Sequence, residues 1–131
     1  MSAPQFSMRV LVVDDAPIIR DILARTLREA GHEVTTTVDG IDGLHKFRRS
    51  AWDLVITDFQ MPAINGEEMA AAIKATVPEM PVIMVTGSQA IVKNPEVFYA
   101  FIAKPFRGQE LLGLVANAPR ARGTDIGNKT T

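Results

Sequence analysis

Four short runs of apolar and β-branched residues, 10–13, 54–57, 82–85 and 101–103, each stop abruptly at a polar side chain. The stops are Asp14-Asp15, Asp58, Thr86 and Lys104. Within the runs apolar residues are consecutive rather than alternating, which suits strands covered on both faces. In an open parallel sheet the strand C-termini share one edge, and ligands bind in the crevice outside it. Four parallel strands would therefore gather three carboxylates, a hydroxyl and an ammonium along one edge.

The intervening segments supply the helices such a sheet needs. Residues 8–13 form the first strand, and Pro17 suits the first turn of a helix. Ile19, Ile22, Leu23, Leu27 and Ala30 recur at helical spacing before Gly31 stops the helix. Residues 33–38 are rich in β-branched side chains and read as a less buried edge strand. Asp39 is a candidate N-cap for a short helix with Leu44 and Phe47 inward, ending among Arg48, Arg49 and Ser50. Trp52 leads into the central strand as a packing residue. Gly66 opens a third helix with Glu67 and Glu68 complementing its dipole and Met69, Ala72, Ile73 and Val77 facing the core. Pro78 and Pro81 end that helix and launch a strand over 81–86.

From Gly87 to Tyr99 the pattern weakens. Asn94-Pro95 suggests an N-cap and first-turn proline for a short helix over 95–98; alternatively, a turn over 89–93 is ended by Pro95. Residues 100–103 form the last strand and 109–116 the last helix. The strand–helix alternation predicts an α/β, flavodoxin-like, doubly wound five-stranded parallel sheet, order 2-1-3-4-5, with helices on both faces. One domain spans residues 8–117, and the aperiodic residues 118–131 are expected to form a flexible C-terminal tail.

Composition narrows the function. The 131 residues carry a formal charge of −1, so no global charge calls for nucleic acid or an anionic membrane. Cysteine is absent, which removes disulfides and thiolate chemistry, and no apolar run is long enough to span a bilayer. A cytoplasmic protein that binds neither nucleic acid nor membrane is the expectation.

Asp14, Asp15 and Asp58 together concentrate negative charge, which raises carboxylate pKa values unless a cation intervenes. A hard divalent ion with oxygen ligands, Mg²⁺ above all, answers that need and accepts phosphate oxygens. Thr86 and Lys104 would meet the remaining phosphate oxygens, and a carboxylate can attack phosphorus to give an aspartyl phosphate. Taken singly, each residue reads better as a turn or surface residue; together at successive strand ends, that is much the weaker reading.

The elements Val12-Val13-Asp14-Asp15, Val55-Ile56-Thr57-Asp58-Phe59-Gln60-Met61-Pro62 with Gly66, Thr86-Gly87 and Lys104-Pro105-Phe106 resemble, in that order, the receiver domain of two-component response regulators. The resemblance covers residue 8 to about residue 117. It implies that Asp58 is the phosphoacceptor, served by a histidine kinase or a histidine phosphotransfer protein. It implies Asp15 and Asp58 as direct Mg²⁺ ligands with the backbone carbonyl of Gln60, and Asp14 acting through water. Lys104 matches the phosphate-pairing lysine, Thr86 the switch hydroxyl and Phe101 the switch aromatic, which reads almost equally well as core packing. Gly87 leaves room over the site, and Gln60 and Ser88 match positions that tune phosphoryl lifetime.

One segment departs from the family. The stretch between Thr86 and Lys104 is shorter than usual, and Phe98-Tyr99-Ala100 replaces a Gly-Ala step before the last strand. A short, shifted or partly unwound fourth helix is expected, on the face the family uses for output. A single-domain regulator signalling by contact with an unidentified output protein fits best. An aspartyl-phosphate hydrolase is disfavoured because Gln60, two residues after Asp58, cannot transfer a proton. Hence no catalysis on a separate substrate is expected. A phosphorylation-independent interaction module is the other alternative. His32 and His45 offer no competing site.

Overall fold

The computed structural model describes residues 7–87 and 90–119. Strands β1 (Arg9–Val13), β2 (Glu33–Thr37), β3 (Leu54–Asp58), β4 (Val82–Thr86) and β5 (Ala100–Ala103) alternate with helices α1 (Pro17–Glu29), α2 (Gly40–Arg49), α3 (Gly66–Thr76) and α4 (Gly108–Ala116). Between β4 and β5 the only helical element among the described residues is a 3₁₀ turn, Pro95–Val97. All pairings are parallel, in the order β2-β1-β3-β4-β5. The fold expected from the strand–helix alternation is the fold observed.

Strand alternation splits the core into two layers. Val10, Val12, Leu54, Ile56, Ile83 and Val85 face Leu23 and Leu27 of α1 and Leu111 and Val115 of α4. Leu11, Val13, Val55, Val82 and Met84 face Phe47 of α2 and Met69 and Ile73 of α3. Both faces of the three central strands are thus buried, which is why their sequences lack polar alternation. Trp52 is buried, as expected of a packing residue, and its indole N–H donates to the Phe47 carbonyl at 3.2 Å.

Helix ends follow local chemistry. Gly31 stops α1 with φ 99°, the left-handed region glycine enters without penalty. Asp39 caps α2 through the Asp42 N–H at 2.8 Å. Asn65 and Glu68 form a reciprocal capping box on α3, both bonds 2.8 Å.

Three local expectations need correction. Ile22 lies outside the buried stripe of α1 at 45% exposure, because Leu23, Ala24 and Leu27 centre the stripe one residue further round. Asn94 makes no side-chain cap on the 3₁₀ turn; its main-chain N–H is engaged elsewhere. Phe101 is not a core residue: it is 42% exposed while its neighbour Ile102 is buried. No long helix covers its side of β5, and its ring contact is Phe98, at 5.2 Å between centroids. The packed unit also reaches Ala118, which is buried against the α1/α4 layer. The rest of the expected tail, from residue 120, lies outside the described residues, as does Ser88.

Candidate functional site

The ends of β1 and β3 deliver the acidic residues. Asp14 follows β1, and its N–H donates to the Thr37 carbonyl of β2 at 3.2 Å, extending the pairing past the strand. Its Oδ1 accepts the Ala16 N–H at 2.9 Å, bending the chain into α1. The Asp14 carbonyl accepts from Arg20 Nη1 at 2.9 Å, so the first turns of α1 hold this corner from behind. Asp58 ends β3 at 7% exposure. Its main-chain carbonyl accepts the Thr57 hydroxyl at 2.8 Å.

The register of β4 and β5 supplies the rest. Asp58 pairs with Val85, so Thr86 lies one residue beyond it on the neighbouring strand. Thr86 pairs with Ala103, and the Lys104 N–H donates to the Thr86 carbonyl at 2.8 Å. That bond sets the root of the Lys104 side chain, whose Nζ reaches Asp58 Oδ1 at 3.0 Å. The expected gathering is therefore observed. Asp14, Asp15 and Asp58 each offer a carboxylate oxygen, and these oxygens lie within 4.8 Å of one another.

The loop after β3 is fixed by sterics. Gly66 donates its N–H to the Phe59 carbonyl at 2.7 Å. A Cβ on Gly66 would lie 2.2 Å from the Asp58 carbonyl oxygen, so only glycine fits there. Ala63, in the same loop, has φ 72°, a region costly for a residue with a Cβ. Gly87 is different: among the described residues an added Cβ would meet nothing within 4 Å.

Of the three carboxylates, Asp14 is the one whose surroundings disfavour its charge. Burial pushes the Asp14 carboxyl up to about 6, opposed by the Ala16 N–H and reinforced by the charge of Asp58. Asp14 Oδ2 is buried with no hydrogen-bond partner among the described residues. An orphaned oxygen on Asp14, and a cluster of three carboxylates that are all hard oxygen donors, fit a divalent cation such as Mg²⁺. Gln60 is exposed two residues beyond Asp58.

The sequence profile of the response regulator receiver domain matches residues 10–116. The chain belongs to the response regulator receiver domain family. The receiver is 32% identical over 112 residues to the response regulator protein FleR of Pseudomonas aeruginosa, covering 82% of this chain and 24% of that protein. It is 32% identical over 122 residues to the transcriptional regulatory protein PrrA of Mycobacterium tuberculosis, covering 90% of this chain and 52% of PrrA. This receiver thus spans about a quarter to a half of the length of these curated relatives. Among solved structures, a response regulator receiver domain protein of Clostridium thermocellum superposes with a TM-score of 0.79 at 32% identity, covering 86% and 94% of the two chains. TrrA of Thermotoga maritima, solved in complex with Mg²⁺ and beryllofluoride, gives 0.76 at 34% identity over 85% and 98%.

Two residues near the site carry roles not read from sequence. Arg20 was one position among many on an amphipathic helix, and its partner is a main-chain carbonyl. Glu67 was read as a dipole-complementing residue of α3. It does stand in the first turn of α3, but it is also only 8% exposed, and its carboxylate accepts the N–H groups of Lys93, at 2.9 Å, and Asn94. These bonds hold its pKa below the usual glutamate value, the Lys93 N–H contributing most.

Proposed function

We propose that Asp58 accepts a phosphoryl group from a histidine kinase or a histidine phosphotransfer protein, with Mg²⁺ held by Asp14, Asp15, Asp58 and the backbone carbonyl of Gln60. The observation that carries this reading is the Asp58 carboxylate itself. It is nearly buried, lies within 4.8 Å of two further carboxylates and is paired to Lys104 at 3.0 Å.

Mg²⁺, when bound, would supply positive charge beside the carboxylates and neutralise incoming phosphate oxygens. The chain's own groups do the rest. An Asp58 oxygen attacks phosphorus as the phosphorus–nitrogen bond of the donor phosphohistidine breaks; the donor imidazole leaves with the electron pair and takes up a proton. Lys104, already aimed at the carboxylate, pairs with a phosphoryl oxygen, and the Thr86 hydroxyl takes another. Strand ends fixed by register make these groups ready before the donor arrives.

Phosphorylation would then draw Thr86 toward the phosphoryl group, and Phe101 follows inward. Its 42% exposure is consistent with the outward position of such a switch. The resulting change of surface is read by a protein partner. The receiver acts on its own Asp58 rather than on a separate substrate, since Gln60 offers no acid or base. Gln60 and Ser88 tune how long the phosphoryl group persists, and Gly87 keeps the space above it clear. Beryllofluoride, a phosphoryl mimic, tests the site: fluorine resonances of a bound species are expected with Mg²⁺ and are lost in Asp58→Ala. Absence of a bound species in the wild type would overturn the reading.

A further inference from the structure

Among the described residues, the connection from β4 to β5 has no α-helix of its own to satisfy its main chain. In an α-helix an N–H is taken by a carbonyl four residues back; here the described residues show one 3₁₀ turn, with Val97 N–H on Asn94 and Phe98 N–H on Pro95. The N–H groups of Lys93 and Asn94, immediately before that turn, go instead to one carboxylate 26 and 27 residues away, that of Glu67. Hydrogen bonds to an ionised acceptor are about twice as strong as neutral ones. Glu67 is buried, and its own backbone is fixed by the capping box at Asn65 and Glu68.

The other side of this clamp touches the phosphorylation site. Gly66, the residue before Glu67, presses against the Asp58 carbonyl so closely that no Cβ fits between them. Beyond the 3₁₀ turn lie Phe98, which is buried, and its ring partner Phe101. A short covalent and hydrogen-bonded path thus runs from Asp58 through Gly66 and Glu67 to residues 93–98.

We infer that Glu67 is a positioning residue, holding residues 93–98 of the β4–β5 connection, where the described residues form no α-helix, and tying their order to the state of Asp58. The coupling to Asp58 rests on the phosphoacceptor reading; the clamp itself does not.

Amide hydrogen exchange on the full chain tests both parts. In Glu67→Gln one amide oxygen faces two N–H donors, and the amide NH₂ opposes the second. Exchange at Lys93 and Asn94 should rise about tenfold or more, the loss expected of a charge-assisted bond, while amides of β1 and β3 stay as in the wild type. Mg²⁺ with beryllofluoride should alter exchange at Lys93 and Asn94 in the wild type and leave it unaltered in Glu67→Gln, although fluorine resonances show the mimic bound to both. Should Glu67→Gln not fold, Glu67→Asp, which keeps both oxygens but one methylene less of reach, carries the same measurement. Unchanged exchange at these two amides, or an equal rise across all strands, would overturn the positioning role. A beryllofluoride response that survives in the variant would overturn the coupling. A wild type that binds no beryllofluoride overturns the phosphoacceptor reading and with it the coupling, while the exchange without ligand still decides the clamp.

Discussion

Lys104 Nζ lies 3.0 Å from Oδ1 of Asp58 because the Lys104 N–H is already bonded to the carbonyl of Thr86, one strand closer to Asp58. A strand register, rather than a flexible reach, sets this ion pair. The pair is partly exposed, so its contribution to stability is modest, about 1 kcal/mol or less. Its larger effect should be on ligand. Lys104→Ala is expected to weaken beryllofluoride binding in Mg²⁺ by about tenfold or more, the cost of losing a charged hydrogen-bond donor to the anion. Titration followed by fluorine resonance checks this, and unchanged affinity would remove Lys104 from the site.

Gly66 and Gly87 make opposite predictions from the same substitution. Gly66→Ala forces a Cβ to within 2.2 Å of the Asp58 carbonyl oxygen, so the loop must shift, at a cost of about 2–4 kcal/mol. Gly87→Ala meets nothing and should change stability by no more than about 0.5 kcal/mol. Urea unfolding of the two variants beside the wild type separates them; equal effects would contradict the loop geometry.

Ala63 tests the same loop from the other direction. Its φ of 72° penalises any Cβ, and Ala63→Gly removes that penalty while adding unfolded-state entropy. A net gain of about 0.5–1 kcal/mol in unfolding free energy is expected. A loss would mean that the left-handed conformation is not held in the folded protein.

Much of this was legible in the sequence, for a physical reason. A strand buried on both faces must be apolar throughout, so β1, β3 and β4 announce themselves, and the residue at which burial ends is the residue delivered to the sheet edge. Asp14, Asp58, Thr86 and Lys104 were found that way. Ile22 was misjudged because apolarity reports a preference for burial, whereas burial depends on what the rest of the chain lays over it; the same reason sets aside the core-packing alternative for Phe101. Glu67 escaped because its partners are main-chain N–H groups, which are identical in every residue but proline and leave no mark in a sequence.

Two titrating groups pull stability in opposite directions on acidification without Mg²⁺. His32 Nδ1 accepts the Met8 N–H at 3.1 Å, and burial lowers its pKa below 6.5. Its contribution is fully present above pH 6.5 and is lost as the pH falls toward the depressed folded value. Asp14 is raised from 3.8 to about 6, so its ionised form costs stability above about pH 6, a cost relieved as the pH falls toward 3.8. Asp14→Asn should therefore exceed the wild type in stability at pH 7.5, with the gap closing as the pH drops through about 6. The advantage of the wild type over His32→Ala should shrink over the range below pH 6.5. Urea unfolding at a series of pH values checks both, and parallel curves for all three proteins would contradict the assigned environments.

The central claim is that Asp58 is the group that takes the phosphoryl. Intact-mass spectrometry after incubation with acetyl phosphate and Mg²⁺ reads it most directly, with a known receiver domain labelled alongside. One phosphoryl adduct is expected on the wild type, dependent on Mg²⁺, and none on Asp58→Ala. An unlabelled wild type beside a labelled control, or an adduct that persists in Asp58→Ala, would contradict it.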